Sequence, residues 1–132
     1  MSTEPTTQAT VRATPLLRRW QIAMDTCNYP DIHHTDTITR WLVIARACVF
    51  SMTITSGLIG VLIALEMGAF AENTLARIVY AALSVIGLIA AHATNNLVND
   101  WTDVRRGVDT EDYPRAQYST HPVLGGLTTP AR

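Results

Sequence analysis

The sequence predicts an all-α membrane protein in which two transmembrane helices form a hairpin, preceded by an amphipathic helix at the membrane interface. Three observations predict this fold class. Of the 132 residues, 48% are hydrophobic and only 16% are charged. The apolar residues are concentrated in two long uncharged runs, and the basic residues lie almost entirely outside the segment between those runs. The net charge is −1, so the chain has no overall positive field that would favour binding to nucleic acid.

Residues 1–15 are rich in threonine and proline and nearly free of large apolar residues, which predicts a disordered tail. Residues 16–40 are predicted to form an amphipathic helix and a connector, because apolar residues recur at helical spacing before a polar stretch that contains proline. Two interpretations of this helix are equally open. It lies on a membrane surface with Trp20 as an interfacial anchor, or it packs on another part of the protein. The apolar positions are Leu16, Leu17, Trp20, Ala23 and Met24.

Two transmembrane helices are predicted at about 41–66 and 76–104. Their uncharged stretches are the nineteen residues 47–65 and the twenty-one residues 78–98. Nineteen helical residues span roughly 28 Å, which is close to the thickness of the hydrocarbon core. The connection between the two runs is short, so the helices must be antiparallel neighbours. Small residues recur every four positions and predict close helix packing rather than dimerisation. These residues are Ser56, Gly60 and Ala64 on the first helix, and Gly87 and Ala91 on the second.

The distribution of arginine predicts the orientation in the membrane. All ten basic residues are arginine, and nine of them lie before the first uncharged run or after the second. Only Arg77 belongs to the connection. Because cytoplasmic segments carry the excess of basic residues, we expect a multi-pass protein of the cell membrane with both termini in the cytoplasm.

The second transmembrane helix is predicted to end in a polar site. Asn96, Asp100 and Asp103 fall within about 60° of one another around the helix axis. Gly107 is a natural end for the helix, and a turn there would bring Asp109 back to the same place. Converging carboxylates repel one another unless a cation lies between them, and oxygen ligands suit Mg²⁺. The alternative is a solvated acidic turn that binds nothing.

Four other residues have simpler interpretations. His92, one turn before Asn96, is either a functional group inside the membrane or a neutral side chain hydrogen-bonded to a neighbouring helix. Two interpretations of Arg46 stay open: its side chain extends to the cytoplasmic interface, or it faces a cavity. The two cysteines, Cys27 and Cys48, occur in a polar stretch and in an apolar run, so we expect no disulfide framework.

The run NNLVNDWTDVRRGVD, followed by TEDYPRAQYSTHPVLGG, resembles the first aspartate-rich motif of the UbiA superfamily of intramembrane prenyltransferases. Its spacing, N-x-x-x-D-x-x-D-x-x-x-G-x-D, is most similar to the branch that contains the 1,4-dihydroxy-2-naphthoate prenyltransferases of menaquinone biosynthesis. The resemblance implies the first part of a larger helical bundle that transfers an isoprenoid chain from a prenyl diphosphate to an aromatic acceptor. It also implies Mg²⁺ as the cofactor.

The resemblance assigns roles to individual residues. Asp100 and Asp103 would be the catalytic pair. The implied Mg²⁺ ligands are Asn96, Asp100, Asp103 and Asp109, and the implied diphosphate contacts are Asn96, Arg106 and Arg115.

The family has more transmembrane helices and a second aspartate-rich motif, whereas this sequence contains two apolar runs and one motif. Residues 41–132 therefore resemble a partial prenyltransferase domain. We expect an N-terminal fragment that is inactive without a C-terminal part. The alternative is a small two-span membrane protein that acts as an interaction module with an acidic cytoplasmic turn. The two hypotheses differ over whether the carboxylates Asp100, Asp103 and Asp109 converge on one site or spread into solvent.

Overall fold

The computed structural model describes residues 14–110, 112 and 119–128. These residues form helices and turns without a strand, which confirms the predicted all-α class. The predicted tail, 1–15, lies almost wholly outside the described residues. The α-helices are α1 (Leu16–Thr26), α2 (Thr37–Ile44), α3 (Phe50–Glu66) and α4 (Thr74–Arg105), and short 3-10 helices occupy Ile32–His34 and Ala47–Val49.

Two segments, Ala47–Glu66 and Thr74–Arg105, are long and apolar enough to cross a membrane. Their large apolar side chains point outward rather than into a core; Leu62 and Ile86, for example, are exposed. A continuous apolar surface of this kind is unfavourable in water and is satisfied by lipid. The membrane-helix character predicted from the uncharged runs is therefore supported.

Helices α3 and α4 contact each other in antiparallel order. A Cβ atom on Gly57 would lie 3.0 Å from Val85 Cγ2, so glycine permits the close approach there. Nearer the start of α3, the Thr53 hydroxyl lies 2.5 Å from His92 Nδ1. The edge of the Phe50 ring also packs on His92, with 5.9 Å between ring centroids. His92 therefore contacts the neighbouring helix, as one of its two interpretations anticipated.

The first predicted transmembrane helix differs from the structure at its start. The sequence predicts one helix from about residue 41, but α2 ends at Ile44 and Arg46 adopts the left-handed conformation with φ 56°. This conformation is unfavourable for a residue with a side chain. It is compensated by an ion pair between the Arg46 guanidinium and Asp100 on α4. The backbone break places Arg46 against the end of α4 instead of leaving it free to extend to the interface.

Helix α1 packs on the described part of the same chain. Its Ala23 is fully buried and forms a small core with Tyr29, Ile32 and Val43. Leu17 lies outside this core and is 74% exposed. The segment is helical over Leu16–Thr26, and its small residue Ala23 is buried against the rest of the described chain. That the exposed side of α1 lies on a membrane surface stays a prediction.

The two cysteines are bonded. Cys27, after α1, forms a disulfide with Cys48, in the 3-10 helix before α3, and their Cα atoms are 5.2 Å apart. The expectation of no disulfide was wrong. It compared the local surroundings of the two residues, whereas the packing of α1 against the beginning of the first apolar segment brings them together.

Asp36 begins α2 as its N-cap. Its carboxylate accepts hydrogen bonds from the Thr39 backbone N–H at 2.9 Å and from the Thr39 hydroxyl at 2.6 Å. It also pairs with Arg19 of α1 at 3.4 Å. Burial raises the pKa of Asp36, but the hydrogen bonds outweigh burial and leave the pKa below its ordinary value. This one side chain thus fixes the start of α2 and connects it to α1.

We expect Asp36→Ala to destabilise the α1–α2 unit by about 1 kcal/mol at neutral pH, because it removes the cap. The pKa is lower in the folded chain than in the unfolded chain, so the contribution of the carboxylate is present above the unfolded pKa and is lost as the pH falls through the folded pKa. The difference from wild type should therefore shrink in acid. Thermal unfolding followed by circular dichroism at several pH values measures it. The exposed Asp25→Ala is the matched control, and equal effects of the two variants at neutral pH would contradict the prediction.

Candidate functional site

Three ionisable side chains are buried together where α4 ends. Asp100 is 1% exposed, Asp109 is 7% exposed and His121 is 2% exposed. One ligand atom from each lies within 4.8 Å of the others. We call Asp100, Asp109 and His121 the carboxylate cluster. Burying ionisable groups is unfavourable unless they are paired, so the contacts of each member decide what the cluster can do.

The turn after α4 brings the two carboxylates together. Gly107 has φ 70°, a left-handed conformation that glycine adopts readily. The backbone N–H groups of Val108 and Asp109 then donate to the Asp103 carbonyl at 2.9 and 3.3 Å. The chain reverses at this point and Asp109 returns to the end of the helix, in the manner that the position of Gly107 predicts.

Two contacts fasten the turn around Arg46 to α4. The Arg46 guanidinium pairs with Asp100 Oδ1, and Asn96 Nδ2 donates to the Ala45 carbonyl at 3.2 Å. Asn96 is itself buried. Because its amide nitrogen is engaged, its carbonyl oxygen is the atom available as an acceptor or ligand.

Within the carboxylate cluster, His121 is the hydrogen-bond donor. Its Nδ1 accepts from the backbone N–H groups of Val123 and Leu124 at 3.2 and 3.3 Å, so this nitrogen carries no proton. In the neutral ring the proton is then on Nε2, which lies 3.0 Å from Asp109 Oδ2 and 4.0 Å from Asp100 Oδ1. A histidine that binds a metal through Nε2 needs the opposite arrangement, with Nδ1 as the donor. His121 therefore donates to Asp109 in this conformation and offers no lone pair to a metal ion.

The residues predicted from the motif fall into three groups. Asn96, Asp100 and Asp109 are buried at the same end of α4. Asp103 is half-buried, and it is not a member of the cluster found among the described residues. Arg106 is exposed, and Arg115 lies outside the described residues.

Sequence reasoning missed His121 and left Arg46 undecided. His121 lies within the second run that carries the resemblance, but no local spacing relates it to Asp109, twelve residues earlier. A signal was available in its neighbourhood. His121 stands directly before a proline, and two glycines follow shortly after it, which together indicate a tight turn that carries an ionisable group.

Three of the buried residues at the end of α4 offer oxygen atoms as possible ligands. The carboxylates of Asp100 and Asp109, with the Asn96 carbonyl oxygen, are hard oxygen ligands of the kind that Mg²⁺ prefers. The Arg46 guanidinium and the His121 Nε2–H are donors and suit an anion. The site thus combines ligands for a cation with donors for an anion.

Comparison of the chain with protein-family models, with curated proteins and with solved structures finds no match.

Proposed function

We propose that the chain is the N-terminal part of a Mg²⁺-dependent intramembrane prenyltransferase. It would contribute to the transfer of an isoprenoid chain from a prenyl diphosphate to an aromatic acceptor such as 1,4-dihydroxy-2-naphthoate. One observation carries the proposal: two buried carboxylates lie beside the N–H donors of buried His121 and half-buried Arg46 where a long apolar helix ends. A magnesium diphosphate needs both kinds of group, and the isoprenoid tail needs the adjacent apolar surface.

In this proposal Asp100 and Asp109 hold the metal, together with Asn96 and with Asp103, which the motif predicts. Bound Mg²⁺ supplies neutralisation of the charge that develops on the departing diphosphate. Arg46 and His121 would donate to diphosphate oxygens, and the burial of His121 would exclude water that weakens such a bond. Arg106 and Arg115 remain candidates for further diphosphate contact on the strength of the motif.

The alternative function, a two-span interaction module, requires an acidic turn that is spread into solvent. The burial of Asp100 and Asp109 favours the enzyme proposal over this alternative. The half-burial of Asp103 and the exposure of Asp112 would suit either function.

We also propose that the protein crosses the cell membrane twice as a helical hairpin, with both termini in the cytoplasm. Contacts between residues near the two ends of the described chain support placing both ends on the same side of the membrane. The Ser119 hydroxyl donates to the Cys27 carbonyl at 3.3 Å, and Leu127 packs against the core that contains Ala23. Two crossings would return the chain to the side on which it began, which agrees with these contacts.

Cysteine-accessibility labelling checks this topology. In a background with Cys27 and Cys48 replaced by serine, we expect Asn73→Cys to react with an impermeant reagent added outside intact cells. Thr110→Cys should react only after the cells are opened. The reverse pattern of labelling would place both termini outside and contradict the proposal.

The function itself is tested by metal binding. We expect the 132-residue chain in nanodiscs to bind Mn²⁺, as a spectroscopic substitute for Mg²⁺, only when farnesyl diphosphate is present, and to show no steady prenyl transfer. Electron paramagnetic resonance of Mn²⁺ measures the binding. Asp100→Asn should abolish it, and Thr102→Ala, on the opposite side of the same turn, is the control. Failure of the wild-type chain to bind Mn²⁺ with the diphosphate would contradict the proposal.

A further inference from the structure

Helices α3 and α4 enclose a groove of about 350 Å³ at the end of the pair that is distant from the carboxylate cluster. Its walls are small and apolar, with Gly60 and Ala64 on α3 and Ala81 on α4. The groove lies within the two segments that are long and apolar enough to cross a membrane. A groove at this level is open to hydrocarbon, so its occupant must present an apolar surface.

The groove exists because the two helices touch at one glycine and separate at the next. At Gly57 an added Cβ would lie 3.0 Å from Val85, which is direct packing. At Gly60, less than one turn further on, an added Cβ would have no other atom within 4 Å. The helices are therefore in direct contact at Gly57, whereas the space beside Gly60 is open. An extended chain fits such a space.

Arg77 gives the groove a charge. It lies in the first turn of α4, it is exposed, and it lines the groove together with Tyr80. Among the described residues of the lining, Arg77 is the basic one and none is acidic. Glu66 and Glu72, which belong to the same end of the pair, do not appear in that lining. A guanidinium binds phosphate oxygens through two parallel hydrogen bonds, and tyrosine is favoured at the level of lipid head groups.

We propose that this groove binds one anionic glycerophospholipid, with its phosphate on Arg77 and one acyl chain lying over Gly60. A third helix, from a second copy or from another protein, would have to cover the charged Arg77 side chain in lipid, which is unfavourable. A lipid satisfies the guanidinium and the apolar walls with a single molecule. The inference depends on the membrane location of the two helices and not on diphosphate chemistry.

Native mass spectrometry of the full chain tests the proposal. The chain is extracted from nanodiscs that contain equal amounts of phosphatidylglycerol and phosphatidylcholine, and the retained lipids are counted. We expect wild type to retain phosphatidylglycerol preferentially. Arg77→Gln should lower the ratio of phosphatidylglycerol to phosphatidylcholine about fivefold. Gly60→Leu should reduce the retention of both lipids, because Gly60 lines the groove and an added Cβ there meets no other atom within 4 Å.

Gly87→Leu is the matched control. Gly87 also has no atom within 4 Å of an added Cβ, but it does not line the groove. It should retain lipid as wild type does. The proposal is overturned if Arg77→Gln keeps the wild-type lipid ratio, or if Gly60→Leu and Gly87→Leu retain equal amounts of lipid. It is also overturned if size-exclusion chromatography shows that Gly60→Leu converts a wild-type dimer to a monomer, because the groove would then hold a second copy.

Discussion

In a reconstructed full-length form of the prenyltransferase that we propose, we expect Asp100→Asn to lower turnover about 10²-fold, which corresponds to roughly 3 kcal/mol. Asparagine has nearly the same shape but lacks the negative charge that a metal ion requires. Because Asp100 is 1% exposed, water cannot take over its role. Turnover is measured with a prenyl diphosphate and a naphthoate acceptor over a range of Mg²⁺ concentrations.

Three further variants locate the metal ligands. The motif predicts that Asp103→Asn is as harmful as Asp100→Asn. The structure groups Asp100 with Asp109, so we expect Asp109→Asn to be at least as harmful as Asp103→Asn. Thr102→Ala should have little effect. Near-normal turnover of both the Asp100 and the Asp109 variants would mean that the buried carboxylates serve the fold and not the reaction.

Arg46→Ala is expected to destabilise the folded chain by about 3 kcal/mol or more. The guanidinium is the paired cation of Asp100, whose side chain is 2% exposed, so its removal takes a positive charge away from a buried carboxylate. The backbone of Arg46 would also lose the ion pair that offsets its left-handed conformation. Unfolding in mixed detergent micelles, followed by circular dichroism, gives the change in free energy.

A double-mutant cycle separates the ion pair from the packing of Arg46. Asp100→Asn in the Arg46→Ala background removes the buried negative charge that Arg46 would have balanced, so the double variant should lose less stability than the sum of the two single variants. Arg40→Ala is the matched control, because Arg40 donates to the His33 carbonyl at the surface. Additive effects of the Arg46 and Asp100 variants would show that the two side chains do not stabilise each other.

The sequence predicted the features that depend on local pattern. Uncharged runs gave α3 and α4, and the position of Gly107 gave the turn that returns Asp109 to Asp100. Long-range contacts were not predictable in this way. Arg46 meets Asp100 across 54 residues, and Cys27 meets Cys48 across 21. A periodic pattern of residues gives no information on which distant residues come into contact. The break in the first apolar segment and the disulfide are therefore seen only in the three-dimensional structure.

The packing of α3 on α4 shows the same difference between what a local sequence pattern predicts and what three-dimensional contacts decide. The spacing of Ser56, Gly60 and Ala64 predicted a close approach of the two helices, but the residue at the contact is Gly57, one position along. The predicted residues line the groove instead. Hydrophobic pattern places small residues on a helix, whereas the crossing of the two axes decides which of them touches the partner.

The hydrogen bond between Ser119 and Cys27 joins residues 92 positions apart, and this separation sets an order of events during synthesis. A nascent chain can pair Arg46 with Asp100 only after the ribosome has made both long helices. Asp109 can meet His121 only after a further twelve residues have been added. Segments so distant in sequence close slowly, because the entropy of the intervening chain is lost before their contacts form. The buried carboxylates are therefore among the last parts of the chain to find their partners, after the apolar helices have already left the ribosome.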